Sequence, residues 1–253
     1  MKIGFVGKGG SGKSTLSTLF VKYLEAQNKT VLAVDADYNM DLTHNLGAPE
    51  DMPYIGAGMA DVFQFIQKGY DAQHVHGPDC NHAHGIVISP EFSLFPLDAV
   101  TKKYSTQLNK NTRIMSAGPI TKAMMQSQGC NHELIEALKI YLPFLKLKDD
   151  EYVVIDERAG IDGLSTGVTS GFDIAVVVVE ATENSMRVGK QIIDLLEFFG
   201  TRYLFVLNKV ADEQKEVDMF MDFYKNVPDI IVPFERVPSD VFAKKILETL
   251  RNC

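Results

Sequence analysis

A glycine-rich stretch near the start of the chain has the residue types and spacing that bind nucleotide phosphates. Gly7, Gly12, Lys13 and Ser14 fit the pattern G-x-x-x-x-G-K-[ST]. Glycines let backbone N–H groups approach phosphate oxygens, the lysine reaches the outer phosphates, and the serine hydroxyl holds Mg²⁺. A helix that starts near Lys13 adds the positive end of its dipole. The predicted phosphate contacts are Gly9, Gly10, Ser11, Gly12, Lys13, Ser14 and Thr15.

The elements around this stretch must hold it between a strand and a helix. Residues 2–6 form an apolar run typical of a buried strand, and residues 16–24 place apolar side chains at helical spacing. A glycine turn that matches the pattern by chance is the alternative. The strand–loop–helix setting argues against that alternative, so we expect an ATP-binding loop.

Polar side chains follow the other predicted strands. Asp35 and Asp37 come at the end of the strand at 29–35, Asp156 ends the strand at 152–156, and Asn208 ends the strand at 203–208. In an open parallel sheet, ligands bind at the carboxyl ends of the strands. We therefore expect the Asp156 carboxylate to hold Mg²⁺ together with Ser14, although Asp35 and Asp37 are also suited simply to capping a turn.

Near-continuous Val/Ile/Leu strands alternate with amphipathic helices along the chain. This pattern predicts an α/β fold, a single-domain P-loop NTPase with a mostly parallel twisted sheet covered by helices on both faces. One domain is expected to span 1–253, with a poorly patterned insertion around 69–112 that has room for a hairpin at 85–97. The further predicted strands are 174–179 and 230–232, and the further predicted helices are 60–68, 132–145, 185–199, 213–224 and 240–250.

Composition narrows the classes of partner. Apolar residues make up 45% of the chain and the net charge is −8. Nucleic-acid binding depends on lysine and arginine at phosphates, so we expect no nucleic-acid partner. No apolar run reaches the roughly 20 residues of a membrane span, so no membrane partner is expected. With three scattered cysteines and no leader pattern, a cytoplasmic location is expected.

The loop sequence KGGSGKST, with Lys8 as its first residue, resembles the deviant phosphate loop of the ParA, MinD and nitrogenase iron-protein ATPases. The resemblance implies a homodimer that encloses two ATP molecules, with Lys8 reaching the partner's phosphates. It also implies that Asp37 orients the attacking water, although the family often has proline where this chain has Tyr38. A surface lysine without a role is the alternative for Lys8.

The same resemblance extends to the later strands. Asn208 and Lys209 resemble the base-contacting pair of these ATPases, and residues 233–240 occupy the place of their second purine-contacting loop. Ala159 and Gly160, after Asp156, resemble a switch whose glycine turn moves with the terminal phosphate.

A closer resemblance is to the CooC-type accessory ATPases that mature nickel carbon monoxide dehydrogenase. It is carried by DERAGIDGLSTGVTSGFD with VVVVE, and by Cys130 and His132 where those proteins have a Cys-x-Cys pair. The resemblance implies that this pair from each subunit holds one metal at the dimer interface. Thiolate and imidazole both suit Ni²⁺ and Zn²⁺. A buried thiol beside a helix-starting histidine is the alternative.

A second candidate metal site lies in the run from 74 to 84, which holds four of the six histidines. Cys80, His82 and His84 alternate, so an extended segment would place them on one side. Such tracts are a compositional signal of metal binding, and a polar loop that binds nothing is the alternative.

The leading hypothesis is an ATP-hydrolysing dimeric metallochaperone that delivers nickel to a client metalloenzyme, such as carbon monoxide dehydrogenase or acetyl-CoA synthase. A partition or positioning ATPase, whose ATP dimer binds DNA, a membrane or a protein, is the alternative. An ATP-dependent ligase or kinase is a third possibility.

Overall fold

A central eight-stranded sheet organises the molecule. The computed structural model describes residues 1–68, 98–122, 133–161, 164, 168, 171–234 and 239–252. The strands, in the order β3-β4-β2-β5-β1-β6-β7-β8, are all parallel except β3, which runs antiparallel to β4. They are β1 (Lys2–Gly7), β2 (Thr30–Asp35), β3 (Ser105–Gln107), β4 (Thr112–Ser116), β5 (Glu151–Asp156), β6 (Ile174–Val179), β7 (Arg202–Val210) and β8 (Ile230–Pro233).

Helices cover both faces of this sheet. They are α1 (Lys13–Ala26), α2 (Asp41–Asn45), α3 (Met59–Lys68), α4 (Ala99–Tyr104), α5 (Glu133–Tyr141), α6 (Glu183–Phe198), α7 (Glu213–Tyr224) and α8 (Ser239–Asn252), with short 3-10 turns at Ile55–Gly58 and Leu142–Phe144. One core cluster packs α1 and α8 against the sheet, and the other packs α3, α5, α6 and α7 against it. No helix in the described ranges is long and apolar enough to cross a membrane.

The predicted fold class is confirmed. Every residue of β5 and β6 is buried, which explains why these strands read as continuous Val/Ile runs rather than alternating patterns. The predicted strand ends lie within two residues of the observed ones. The first helix starts at Lys13, as predicted, although its apolar side chains begin only at Leu16, because its first turn is the polar end of the glycine-rich loop.

Residues 99–116 contain elements that the sequence did not predict. The short helix α4 leads into the edge strand β3, and β4 then pairs with β2 inside the sheet. These elements are three to six residues long, too short for periodicity to reveal. The helix predicted at 132–145 ends at Tyr141 and tightens into the 3-10 turn that contains Pro143. The predicted hairpin at 85–97 lies outside the described residues.

Candidate nucleotide-binding site

The glycine-rich loop joins β1 to α1 at the carboxyl edge of the sheet. Gly10 and Gly12 have φ values of 81° and 98°, in the left-handed region that favours glycine. A Cβ atom on Gly12 would also lie 2.3 Å from Nδ2 of Asn208. Both the backbone conformation and the available space therefore require glycine at position 12.

Lys13 lies under the loop rather than in solvent. Its side chain is almost fully buried, and Nζ donates to the carbonyl oxygen of Lys8 at 3.4 Å. Burial lowers the pKa of Lys13, whereas the charges of Asp156 and Asp37 raise it. A buried ammonium group between the loop carbonyl and these carboxylates is suited to contact phosphate oxygens.

Asp156 is the buried carboxylate best placed to bind a cation. It is fully buried at the end of β5, and neither carboxylate oxygen has a partner in hydrogen-bond geometry among the described residues. Burial raises its pKa to about 7, while the nearby Ser14 hydroxyl and then Lys13 oppose the rise. A buried carboxylate without a hydrogen-bond partner is stabilised when a cation binds it, since the Lys13 charge offsets only part of the cost of its burial.

This donor set fits Mg²⁺. The ion prefers oxygen ligands and keeps several waters, so it needs only one carboxylate and one hydroxyl from the protein beside substrate phosphates. Asp156 and Ser14 supply such a pair. No group of three or more His, Cys, Asp or Glu suited to hold a metal occurs in the part of the chain that the structure describes.

The two aspartates after β2 differ in their surroundings. The buried carboxylate of Asp35 accepts hydrogen bonds from the N–H and hydroxyl of Thr43, both at 2.8 Å, and burial raises its pKa to about 6. Asp35 thus ties the following turn to α2, as the capping alternative describes. Asp37 is half-buried, and its Oδ1 accepts the N–H of Asn39 at 3.1 Å.

A further buried carboxylate, Glu157, was missed in the sequence. Oε1 accepts the N–H of Arg158 at 3.1 Å, and Oε2 has no partner among the described residues. Burial raises the pKa of Glu157 to about 8, opposed by the N–H groups of Arg158 and Val168. The sequence shows only that Glu157 directly follows the strand that ends at Asp156. A charged residue in that position usually lies in solvent, so its burial could not be predicted.

The loop after β5 lies against the glycine-rich loop. The N–H of Gly160 donates to the carbonyl oxygen of Gly7 at 3.0 Å. A Cβ atom on Gly9 would meet that of Ala159 at 3.6 Å. The segment that resembles a phosphate-sensing switch is therefore in direct contact with the loop whose ligand it would sense.

Asn208 and Lys209 reach the loop from the end of β7. Nδ2 of Asn208 donates to the carbonyl oxygen of Ser11 at 2.7 Å. Lys209 has a φ of 61°, at the point where the pairing between β7 and β8 is irregular. Its Nζ donates to the carbonyl oxygen of Gly10 at 2.6 Å and forms an ion pair with a carboxylate oxygen of Glu180 at 2.5 Å. These amine and amide groups support the shape of the loop from its outer side.

A cavity of about 550 Å³ opens beside Lys209. Its wall includes Phe234, which is 70% exposed and directly follows β8. The predicted second purine-contacting segment, 233–240, begins here, although residues 235–238 lie outside the described ranges. A flat aromatic side chain at the carboxyl edge is suited to contact a nucleotide base.

The structure places the residues predicted to bind the nucleotide and Mg²⁺ at the carboxyl edge of the sheet. The residues predicted to bind a transition metal are not among those it describes. Lys8 is half-buried, and its carbonyl oxygen accepts the N–H of Ser11 at 3.1 Å. The transition-metal candidates Cys80, His82, His84, Cys130 and His132 all lie outside the described residues.

A model of the CobQ/CobB/MinD/ParA nucleotide-binding domain matches residues 5–246. The chain belongs to this family. It is 31% identical over 221 residues to an uncharacterized ATP-binding protein of Methanocaldococcus jannaschii, covering 86% of this chain and 82% of that protein.

Two further proteins are similar to this chain. The carbon monoxide dehydrogenase accessory protein CooC of Rhodospirillum rubrum is 25% identical over 215 residues, which cover 83% of this chain and 75% of CooC. The cell division ATPase MinD of Pyrococcus furiosus has a TM-score of 0.62 at 18% identity, covering 100% of this chain and 99% of MinD. The MinD likeness shows the shared fold.

Proposed function

We propose that the protein is an ATP-hydrolysing homodimer that couples its nucleotide state to insertion of nickel into a client metalloenzyme. The observation that carries the nucleotide part is the buried Asp156 carboxylate, unpartnered among the described residues, beside a complete phosphate-binding loop. Carbon monoxide dehydrogenase or acetyl-CoA synthase is the proposed client. The CooC match and the Cys130-x-His132 sequence support that choice.

The loop geometry supports ATP binding. Backbone N–H groups of the glycine-rich loop would donate to the phosphates, and the buried Lys13 would contribute its positive charge from beneath. Asp156 and Ser14 would hold Mg²⁺, which would neutralise charge on the outer phosphates. Asn208, Lys209 and Phe234, which lie beside the loop and the cavity, are the proposed contacts of the base.

Hydrolysis requires a water aligned with the terminal phosphate. Asp37 is proposed to orient this water, because its half-buried carboxylate lies at the same edge as Lys13 and Asp156. Lys8 of one subunit is proposed to reach the phosphates of its partner, so hydrolysis would depend on dimerisation. Loss of the terminal phosphate would then release the loop at Ala159 and Gly160 and open the dimer.

Nickel is the proposed cargo, and Cys130 with His132 from each subunit would provide four ligands. Dimer opening would separate these pairs and release the metal. Cys80, His82 and His84 form a second proposed site, which would act either with the first pair or in its place. The net charge of −8 argues against a broad DNA-binding surface, which the partition-type alternative would need to bind DNA.

The test is Ni²⁺ and Zn²⁺ binding to the purified protein with ADP, ATP or no nucleotide. We expect about one metal per dimer, bound more tightly in one nucleotide state and lost in Cys130→Ala. Cys253→Ala is the matched control, and a variant with His82 and His84 replaced by Ala separates the two sites. Equal, weak metal binding in every nucleotide state would contradict the metallochaperone proposal.

Dimerisation is tested separately by light scattering of Asp37→Ala, which should bind ATP without hydrolysing it. We expect a dimer with ATP and a monomer with ADP. A variant that remains monomeric with saturating ATP would contradict the cycle, and ATP-dependent binding to duplex DNA or vesicles would favour the alternative instead.

A further inference from the structure

Tyr38 and Arg158 form a contact between the two loops that flank the candidate site. The guanidinium carbon of Arg158 lies 4.9 Å from the centre of the Tyr38 ring. Tyr38 directly follows Asp37, and Arg158 is two residues beyond Asp156. The contact therefore joins the loop that carries the proposed water-orienting carboxylate to the loop that carries the proposed Mg²⁺ ligand.

The bases of these two loops are already fixed to each other. Their strands, β2 and β5, are neighbours, with Asp35 opposite Asp156. The N–H of Ala36 donates to the carbonyl oxygen of Asp156 at 3.0 Å. Because the strand ends are held together, the freedom that remains lies in the residues beyond them, where Tyr38 and Arg158 meet.

Each loop is also tied to its own surroundings. Asp35 holds Thr43, and the buried Met40 adopts a left-handed φ of 58° in the turn between them. The loop after β5 is held at Gly160 by the carbonyl oxygen of Gly7. Each turn is therefore held by its own contacts. The Tyr38–Arg158 contact connects the two turns and sets the distance between them beside Asp37.

The chemistry of the pair suits a contact that can be remade during a cycle. A planar guanidinium stacks on an aromatic face, and such a contact shifts an equilibrium by roughly 2- to 30-fold. This bias is large enough to favour one arrangement of the loops, yet small enough to be exceeded when a charged ligand arrives. Both side chains are half-buried, so solvent weakens the contact without replacing it.

We infer that Tyr38 and Arg158 are positioning residues that set the place of Asp37 relative to Asp156 for ATP hydrolysis. This inference rests on the proposed ATPase function. Neither residue belongs to the phosphate-binding loop, so the pair acts on the alignment of the attacking water rather than on ATP affinity. It follows that the pair controls kcat and leaves KM nearly unchanged.

The test is a double-mutant cycle on steady-state ATP hydrolysis with Tyr38→Leu, Arg158→Met and the combined variant. We expect each single variant to lower kcat about 10-fold, and the combined variant to fall no further than either one. Tyr38→Phe keeps the aromatic face and should remain within about 2-fold of the unaltered protein. Arg202→Met, at the exposed start of β7 at the opposite end of the sheet, is the matched control and should leave kcat unchanged.

The outcomes distinguish this inference from the proposed function. Additive losses of about 100-fold in the combined variant, or a Tyr38→Phe loss equal to that of Tyr38→Leu, would overturn the pair as a positioning contact while leaving the ATPase intact. A rise in KM with constant kcat would do the same. Absence of hydrolysis in the unaltered protein, with or without client and metal, would overturn both proposals.

Discussion

Two clusters of buried polar side chains in this molecule are built in opposite ways. Asp98 caps the N-terminus of α4, and both of its carboxylate oxygens have partners: Oδ1 accepts two backbone N–H groups, and Oδ2 accepts hydrogen bonds from the hydroxyls of Thr101 and Tyr141. At the carboxyl edge, both oxygens of Asp156 and one oxygen of Glu157 have no partner among the described residues. The first cluster satisfies its buried polar atoms within the fold, whereas the second leaves buried oxygens that the proposed Mg²⁺ would compensate.

The largest expected effect comes from removing the charge of Asp156. Asp156→Asn should lower ATP hydrolysis by about 100-fold or more, because the carboxylate that would hold Mg²⁺ is lost. The thermal midpoint of the ligand-free protein should stay the same or rise, since a buried charge without a partner is removed. Calorimetry and a phosphate-release assay measure the two effects. A variant with full activity, or one with a much lower midpoint, would place Asp156 with the structural cluster.

The buried carboxylates at the carboxyl edge should also make the stability of the fold depend on pH. Burial raises the pKa values of Asp35, Asp156 and Glu157 to about 6, 7 and 8, so the folded state binds protons that the unfolded state releases. The stability of the ligand-free protein should therefore fall as pH rises from about 4.5 to 8, by up to about 1.4 kcal/mol per pKa unit and group.

The pH prediction has an internal control. Denaturant unfolding at several pH values should give a shallower decline in Asp156→Asn than in the unaltered protein. Addition of Mg²⁺ and ATP should reduce the decline in the unaltered protein alone, because the ligand compensates the buried charge. Identical pH profiles for the two proteins would show that Asp156 is not a buried charge in solution.

A substitution in the Asp98 cluster should lower stability and leave activity unchanged, the opposite of what we expect for Asp156→Asn. Tyr141→Phe removes a buried hydroxyl that contacts Asp98 and Thr101, and it should destabilise the fold by about 1 kcal/mol without changing kcat. Urea unfolding and the hydrolysis assay measure these quantities. A loss of activity in the fully folded Tyr141→Phe protein would connect this cluster to the site and remove the contrast.

An exposed ion pair provides the smallest expected effect. Lys103 and Asp61 form a salt bridge between α4 and α3 with both side chains largely in solvent. Lys103→Ala should change the free energy of unfolding less than Tyr141→Phe does, and it should leave hydrolysis unaffected, because solvent screens an exposed pair. A larger loss, measured by urea unfolding, would mean that this surface contributes more than its exposure indicates.

The same contrast explains what the sequence could predict. The continuous apolar runs of β1, β5 and β6 and the motif ending at Ser14 act locally, so they are visible without a structure. The Asp37, Asp156 and Asn208 positions followed from the rule that ligands lie at the carboxyl ends of parallel strands. Such features depend on strand direction alone.

Other features depend on neighbours that are distant in sequence. β4 becomes a sheet strand because β2 pairs with it, although its sequence TRIMS is too short to reveal a pattern. Glu157 is charged in sequence but buried in the fold, and the Tyr38–Arg158 contact joins residues 120 positions apart. The different surroundings of Asp35, which accepts a hydrogen bond from the Thr43 hydroxyl, and of Asp37 could also be seen only in the structure.

The most direct test of the central claim is ATP affinity measured by calorimetry with and without Mg²⁺, in the unaltered protein and in Asp156→Asn. The account predicts that Mg²⁺ increases ATP affinity at least about 10-fold in the unaltered protein and has little effect in the variant. Equal affinities with and without Mg²⁺ in the unaltered protein, or no ATP binding at all, would contradict a Mg²⁺-dependent nucleotide site at the end of β5.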